Sequence, residues 1–394
     1  MQSVLFQSAP ANLKAEATHR GKGSTSSRPA PIRVLMTTPS VTMPGGVAQY
    51  LRVLQPYLGD NVKYFAIGAR SGRETEMGAA WRLLEDSRNF ARKLRQEDFD
   101  LVHINPSIGY KALVRDGLLL LVAKAQSKAV VVFVHGWDEA CGRVVSTYFT
   151  RLFRFVYGRA NAFVVLAKEF EARLRLMGLN NPVFVQTAPL ADEIRRDSQE
   201  FPARHYEAKG SRTFEILFLA RVEREKGIYE ALDTYRILQQ RHPFVSMTVA
   251  GEGRQLSEAM RYASRLGLTE VTFCGHVEGS QKCRVYRKAD AYFFPSHSEG
   301  LPLSVLEAMA YGLPIVTSAV GGLRDFFRDG TMGFMSESNH PEVLAERMSQ
   351  LISNPELCSR MSLCNRNYAA DRFTGPRVAE NLERIYSFAL DGVN

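Results

Sequence analysis

From Ile32 onward the chain alternates short, continuously apolar and β-branched runs with longer segments of helical periodicity. A strand that is apolar at every position must be covered on both faces. Parallel sheets flanked by helices meet that requirement. A first set of strands is expected at IRVLMTT (32–38), VKYFAIG (62–68), FDLVHIN (99–105), VVVFVHG (130–136), AFVVLA (162–167) and PVFVQTA (182–188). A second set is expected at FEILFLA (214–220), VSMTVAG (245–251), VTFCGH (271–276), AYFFPS (291–296) and PIVTS (314–318). The polar stretch at 192–212 between them reads as an interdomain linker with its flanks. Two α/β domains with Rossmann-like, doubly wound parallel sheets are therefore expected to face one another across a cleft. Ligands of such open sheets bind at the carboxyl ends of the strands.

Composition narrows the partners. A length of 394 residues suits two or three domains. The formal net charge of +9 favours polyanions: phosphate-bearing small molecules, nucleic acid or an anionic membrane. No recognised nucleic-acid motif accompanies it, so nucleic acid is not expected as a partner. The five cysteines form no CxxC pair, which reads as reduced thiols in a cytosolic compartment without structural zinc. Residues 1–30 are rich in Ser, Ala and basic residues, with Glu16 as the single acid. They read first as a disordered tail and second as an organelle transit peptide. The apolar run Leu118–Ala123 is far shorter than the roughly 20 residues of a spanning helix, so no transmembrane segment is expected.

Several strand ends carry chemistry. Gly45 and Gly46 fall where the first strand turns into a helix, allowing close backbone approach to an anion. A tight turn without a ligand is the bland alternative. His135 ends the strand VVVFVHG and opens toward the cleft, or is a buried, hydrogen-bonded histidine. Arg221 and Lys226 follow the strand FEILFLA, where a guanidinium fork and an ammonium suit two adjacent phosphates. Alternatively Glu223 and Glu225 pair with them in a solvated loop. Gly253 lies in the GEGR turn at the next strand end.

The most informative stretch is SEGLPLSVLEAMAYGLPIVTS (298–318), in which seven residues separate Glu299 from Glu307. Pro302 suits the first position of a helix that ends at Gly312 and Pro314. Leu303, Leu306, Ala310 and Leu313 form one stripe of that helix, with Glu307 only ~40° from Leu303 on its shoulder. A carboxylate there is costly unless satisfied, by ligand hydroxyls such as those of a ribose or by a salt bridge within the protein. Glu299 precedes the helix beside the N–H groups of Gly300, Leu301 and Leu303.

Together these residues resemble the family 4 glycosyltransferases, retaining enzymes of the GT-B fold. The resemblance rests on GGVAQY, VHG, ARVEREKG, AGEG and above all EGLPLSVLEAMAYGLPIV, and covers about residues 32–390. It implies a metal-independent transfer of a sugar, a hexose being expected, from a UDP-, GDP- or ADP-sugar, with no further cofactor. It implies that Arg221 and Lys226 hold the donor diphosphate, Glu307 the ribose, and Glu299 the donor sugar. Gly300, Leu301 and Leu303 would offer backbone amides, Gly45 and Gly46 would close on the distal phosphate, Gly253 would line the donor side, and His135 would lie near the reacting face. The implied organisation is a tail (1–30), an acceptor-side domain (31–195), a donor-side domain (196–374) and a C-terminal helix crossing back (375–394). The string Asp98-Phe99-Asp100 opens a strand instead of following one, and reads as a surface feature at the strand's start.

The acceptor is less legible. A glycan or polyprenyl-linked sugar in bacterial cell-surface polysaccharide synthesis is the setting implied by analogy. Residues 143–159 carry Arg143, Arg151, Arg154 and Arg159 among aromatics and no acids. The segment reads either as an anionic-membrane contact, making the protein peripheral on the inner face of a membrane, or as a core helix with arginines at its wet edge; the second is preferred. Other functions of the same fold are a nucleotide-sugar epimerase, a phosphorylase, or a binding module without turnover.

Overall fold

The computed structural model describes residues 31–39, 46–68, 76–204, 206 and 213–392. The first half comprises β1 (Val34–Pro39), α1 (Gly46–Leu54), β2 (Val62–Ile67), α2 (Glu76–Gln96), β3 (Leu101–Ile104), α3 (Tyr110–Ala125) and β4 (Ala129–Val134). It continues with α4 (Glu139–Val144), a π-helical turn at Val145–Phe149, α5 (Thr150–Tyr157), β5 (Ala162–Val165), α6 (Lys168–Leu176) and β6 (Val183–Val185). After α7 (Asp192–Glu200) come β7 (Phe214–Leu219), α8 (Ile228–Arg241), β8 (Val245–Ala250), α9 (Leu256–Arg265), β9 (Val271–Gly275), α10 (Gly279–Lys288) and β10 (Ala291–Phe294). The chain ends with α11 (Leu303–Ala310), β11 (Ile315–Ser318), α12 (Leu323–Phe326), β12 (Gly333–Ser336), α13 (Pro341–Ser353), α14 (Pro355–Arg372) and α15 (Gly375–Asp391).

The strands form two six-stranded sheets, ordered β2-β1-β3-β4-β5-β6 and β12-β11-β10-β7-β8-β9. Every strand pairing is parallel. Each of the eleven expected runs overlaps a strand. The edge strand β12 was not expected, because GFMS is short and begins with a glycine. That glycine is required: Gly333 has φ +144°, and a Cβ there would lie 1.9 Å from the Ile315 carbonyl oxygen.

Strand alternation splits the first sheet's side chains between two cores. Leu35, Val102, Val130, Val132 and Phe163 pack with Phe90 of α2, Leu120 of α3 and Phe153 of α5. Val34, Leu101, Val131 and Phe133 face the other way, against Leu51 of α1 and Leu382 and Ile385 of α15. That second cluster runs on into Tyr292, Leu306 and Met309 of the other sheet's half. The long C-terminal helix thus lies on the first sheet. Its Tyr386 hydroxyl is 2.6 Å from His103 Nδ1, and the Ala389 carbonyl accepts from Asn161 Nδ2 at 3.1 Å.

Two local expectations need correction. The stretch at 192–212 is not linker throughout, since α7 occupies its first part and is tied to the second sheet's helices. Asp197 of α7 accepts hydrogen bonds from Arg287 of α10 and from the Tyr311 hydroxyl. The helix α11 is also not amphipathic. Val305, Leu306, Glu307, Ala308, Met309 and Ala310 are all buried, so it is enclosed on every side and Leu303 sits half-buried at its start.

Candidate active site

The order of the second sheet reverses between β7 and β10, and a ligand crevice opens at the carboxyl end of such a point. The loops after these two strands are stitched together there. The His297 amide donates to the Glu225 carbonyl at 2.9 Å, and Ser296 Oγ donates to the same oxygen at 3.1 Å. Gly227 makes the approach possible. Its φ is +76°, and a Cβ would fall 1.9 Å from the Pro295 carbonyl oxygen.

Lys226 and Glu299 meet in that junction. Lys226 Nζ lies 2.6 Å from Glu299 Oε1, to which Ser296 Oγ also donates at 2.8 Å. Glu223 and Glu225 do not take the basic residues, contrary to the bland reading. Glu223 instead pairs with Arg254, 3.4 Å from its Nε. Among the described residues the exposed Arg221 side chain has no hydrogen-bond or ion-pair partner. The backbone N–H groups of Gly300, Leu301, Leu303 and Ser304 likewise donate to no acceptor among the described residues. Two cations and a helix start with free amides therefore share one rim, which is what an anion requires. Pro302 occupies the N-cap of α11 rather than its first helical position.

Glu307 lies one turn further along α11 and is 4% exposed. Its carboxylate is satisfied within the protein: Lys282 Nζ is 2.6 Å from each oxygen, and the Tyr286 hydroxyl donates to Oε2 at 2.8 Å. Burial, with the Glu307 charge beside it, pushes the Tyr286 phenol well above its ordinary range, so it stays a donor. A carboxylate has about four lone-pair directions, and acceptor capacity remains for a ligand hydroxyl. Lys282 and Tyr286 went unnoticed in the sequence. Their i,i+4 spacing on α10 was the available signal.

On the first sheet, His135 follows β4 and is 9% exposed. Its Nε2 is 2.8 Å from Asn105 Oδ1, while Asn105 Nδ2 donates to the Thr37 carbonyl at 2.8 Å. Since the Asn105 oxygen accepts, His135 carries its proton on Nε2 and presents Nδ1 as an acceptor. Burial first, then nearby His103, lowers its pKa to about 3, so the ring is neutral. The reading of His135 as a buried, hydrogen-bonded histidine thus holds. The two halves approach closely here: a Cβ on Gly300 would lie 2.9 Å from the His135 carbonyl oxygen. Tyr50 of α1 packs edge-on against the His135 ring with centroids 5.0 Å apart, placing Gly46 one turn away at the start of that helix. Gly45 lies outside the described residues. Gly253 sits where a Cβ would strike the Val222 carbonyl oxygen at 2.2 Å, which explains the glycine by backbone approach. Asn105 was missed, though a polar residue ending the apolar strand LVHI was its signal.

Asp98 and Asp100 lie just before β3, at the amino ends of the first sheet's strands, both bound to Arg33, with Asp98 Oδ2 2.6 Å from Arg33 Nη2. Among the described residues no group of three or more His, Cys, Asp and Glu is arranged to hold a metal ion. An open cavity of about 220 Å³ adjoins the rim beside Leu301 and Gly322, and is lined also by Gln186, Asp325, Tyr368 and Arg377.

Known families match both halves. The family described as "Glycosyl transferases group 1" matches residues 202–367, and the "Glycosyl transferase 4-like domain" matches residues 34–191. The first match holds the Lys226–Glu299 junction and Glu307, and the second holds His135. The chain belongs to the group 1 glycosyltransferases. Glycogen synthase of Mycobacterium tuberculosis is 31% identical over 179 residues, or 45% of this chain and 43% of that protein. The capsular polysaccharide biosynthesis glycosyltransferase CapM of Staphylococcus aureus is 27% identical over 180 residues, covering 45% and 47% of the two chains. The putative glycosyltransferase EpsD of Bacillus subtilis is 23% identical over 314 residues, covering 75% and 78%. The matches to the first two thus span less than half of either relative. Among solved structures, Anabaena HepE in complex with UDP and glucose superposes with a TM-score of 0.68 at 18% identity, over 90% of this chain and 99% of that one. Sucrose-phosphate synthase of Thermosynechococcus elongatus gives 0.67 at 17% identity, over 91% and 99%. The shared architecture is the GT-B fold of two facing parallel-sheet halves.

Proposed function

We propose that this group 1 glycosyltransferase moves a sugar from a nucleotide-diphosphate sugar to a glycan or lipid-linked glycan, with retention at the anomeric carbon and without a metal. The observation that carries the reading is the junction at the β7–β10 reversal. Lys226 is held there on Glu299, Arg221 stands unpaired, and the α11 amides are open. A diphosphate at this rim would take charge-assisted hydrogen bonds from both cations and the helix start. Glu307 would accept from the ribose hydroxyls, and Glu299 from the sugar hydroxyls. HepE has been crystallised with UDP and with UDP-glucose, which supports a nucleotide-sugar donor.

The bond from the anomeric carbon to the diphosphate oxygen breaks as Arg221, Lys226 and the amides stabilise the charge developing on that oxygen. The acceptor hydroxyl forms the new bond from the same face, and its proton passes to the departing diphosphate. His135 is neutral and takes no proton. It borders the reacting face through its carbonyl and Nδ1. CapM and EpsD support a setting in surface-polysaccharide synthesis. Thermal-shift measurement against UDP-, GDP- and ADP-sugars, followed by mass spectrometry of a polyprenyl-linked acceptor reaction, tests the reading. Stabilisation by one donor together with an acceptor mass increased by one sugar is expected. Donor consumption without any acceptor, or dependence on free phosphate, would overturn it.

A further inference from the structure

The outer face of the first sheet is covered by α2, α3 and the α4–α5 pair, with α3 lying between the other two. Each helix buries one stripe: Phe90 and Leu94 on α2, Leu119 and Leu120 on α3, Phe153 and Tyr157 on α5. The opposite stripes should be polar on a face turned to water. They are not. On α3, Tyr110, Val114 and Leu118 recur every four residues and are exposed. On α5 and the π turn before it, Tyr148, Leu152 and Phe155 follow at spacings of four and three and are exposed, with Tyr148 77% exposed. On α2, Met77 and Trp81 stand out at 77% and 73% exposed. The three helices are neighbours, so these side chains are gathered on one face, and exposed apolar residues gathered in this way mark an interaction surface.

Along the π turn and α5 the charges have one sign. No Asp or Glu occurs between Glu139 and Glu169, whereas Arg143, Arg151, Arg154 and Arg159 are exposed in that interval. Arg159 stacks on Phe155 with its guanidinium 3.8 Å from the ring centre. Asp116 of α3 is turned inward and paired with Arg115 at 2.8 Å. A second copy of the chain would bring this cationic face against itself, because a twofold interface opposes like residues. A bilayer with anionic headgroups accepts both components, aromatic and aliphatic side chains at the acyl boundary and arginines among the phosphates. The segment expected to be a core helix with wet arginines is thus core on one side only.

We infer that the face built from α2, α3 and α5 docks on an anionic lipid bilayer. The helices α2, α3 and α4 start from the carboxyl ends of β2, β3 and β4, so the docking face begins at the rim of the cleft. A lipid-linked substrate would then reach the His135 side of the cleft without leaving the membrane. The inference goes beyond sugar transfer and is read without turnover.

Flotation of the full chain with vesicles of phosphatidylcholine alone, and with added phosphatidylglycerol, tests it. Binding is expected to the anionic vesicles only, to weaken with salt, and to shift the Trp81 emission to the blue. The double variants Leu152→Glu/Phe155→Glu and Arg143→Gln/Arg151→Gln are each expected to weaken binding by about tenfold or more. Neither Arg143 nor Arg151 has a side-chain partner among the described residues, so the second variant serves if the first melts early. Both variants keep the parent's transfer rate on a soluble acceptor, which separates this inference from the transferase reading. Absence of flotation with anionic vesicles, unchanged flotation of both variants, or a concentration-dependent dimer abolished by the variants in place of flotation would each overturn it.

Discussion

Glu299 answers to two partners at once, an ammonium on one side and the expected donor sugar on the other. Replacing it with Gln keeps its shape and removes its charge. Glu299→Gln is expected to retain nucleotide binding within a few-fold and to lose transfer by about a hundredfold or more. Calorimetric titration with the nucleotide beside a transfer assay checks this, and unchanged transfer would sink the proposed role. Glu307→Ala should weaken donor affinity by about ten- to a hundredfold, since hydrogen bonds to a charged group contribute roughly 1.5–3 kcal/mol. It also leaves Lys282 without its partner, so Lys282→Ala in the same background separates the two effects. The neutral histidines carry a pH signature. His103 and His135 fall from an ordinary 6.5 to about 3, chiefly through burial. Below pH 6.5 the unfolded chain takes up protons that the native state refuses. Stability is therefore full above that pH and lost as pH falls toward 3, by up to about 1.4 kcal/mol per pH unit for each histidine. Denaturant midpoints between pH 7 and 4 should fall accordingly, and less steeply in His103→Gln.

At the scale of elements, the site depends on how closely two loops approach. Gly227→Ala introduces a methyl where the Pro295 carbonyl already stands and forces a side chain onto a left-handed backbone. Loss of at least about 1–3 kcal/mol of stability is expected, together with weaker donor binding, because the Lys226–Glu299 junction must open. Thermal unfolding and nucleotide titration of the same variant measure both. The identity of this glycine was visible in REKGIYE, but its reason was not. Nothing in those residues shows that a carbonyl from β10's loop would press on it. The same holds for α11. Its apolar spacing reads as one stripe, and only the packing of α7, α10 and α14 around it encloses Glu307.

At the scale of the whole molecule, α15 joins the chain's end to the first sheet. Val378, Leu382 and Tyr386 are buried there, and the Tyr386 hydroxyl meets His103. Tyr386→Phe leaves that buried nitrogen unpartnered and should cost about 1–3 kcal/mol, read as a lowered denaturant midpoint. Removing residues 375–394 would expose the apolar face beneath and is expected to give an insoluble product, scored by soluble yield.

Much of this architecture was determined locally. The eleven apolar runs set strand positions, because continuous apolarity forces burial on both faces and parallel pairing follows. The spacing of Glu299, the helix start and Glu307 along one segment likewise placed three parts of a site within a short span of chain. What the sequence could not decide is which charges meet across loops far apart in the chain. Lys226 with Glu299, Lys282 with Glu307, and Asn105 with His135 are each separated by 25 to 73 residues. Such pairs are selected by sheet order and the reversal between β7 and β10, not by neighbouring residues. The outward apolar face was hidden for the same reason. A stripe of Leu and aromatic residues on one helix looks like core until three helices are seen to turn theirs the same way.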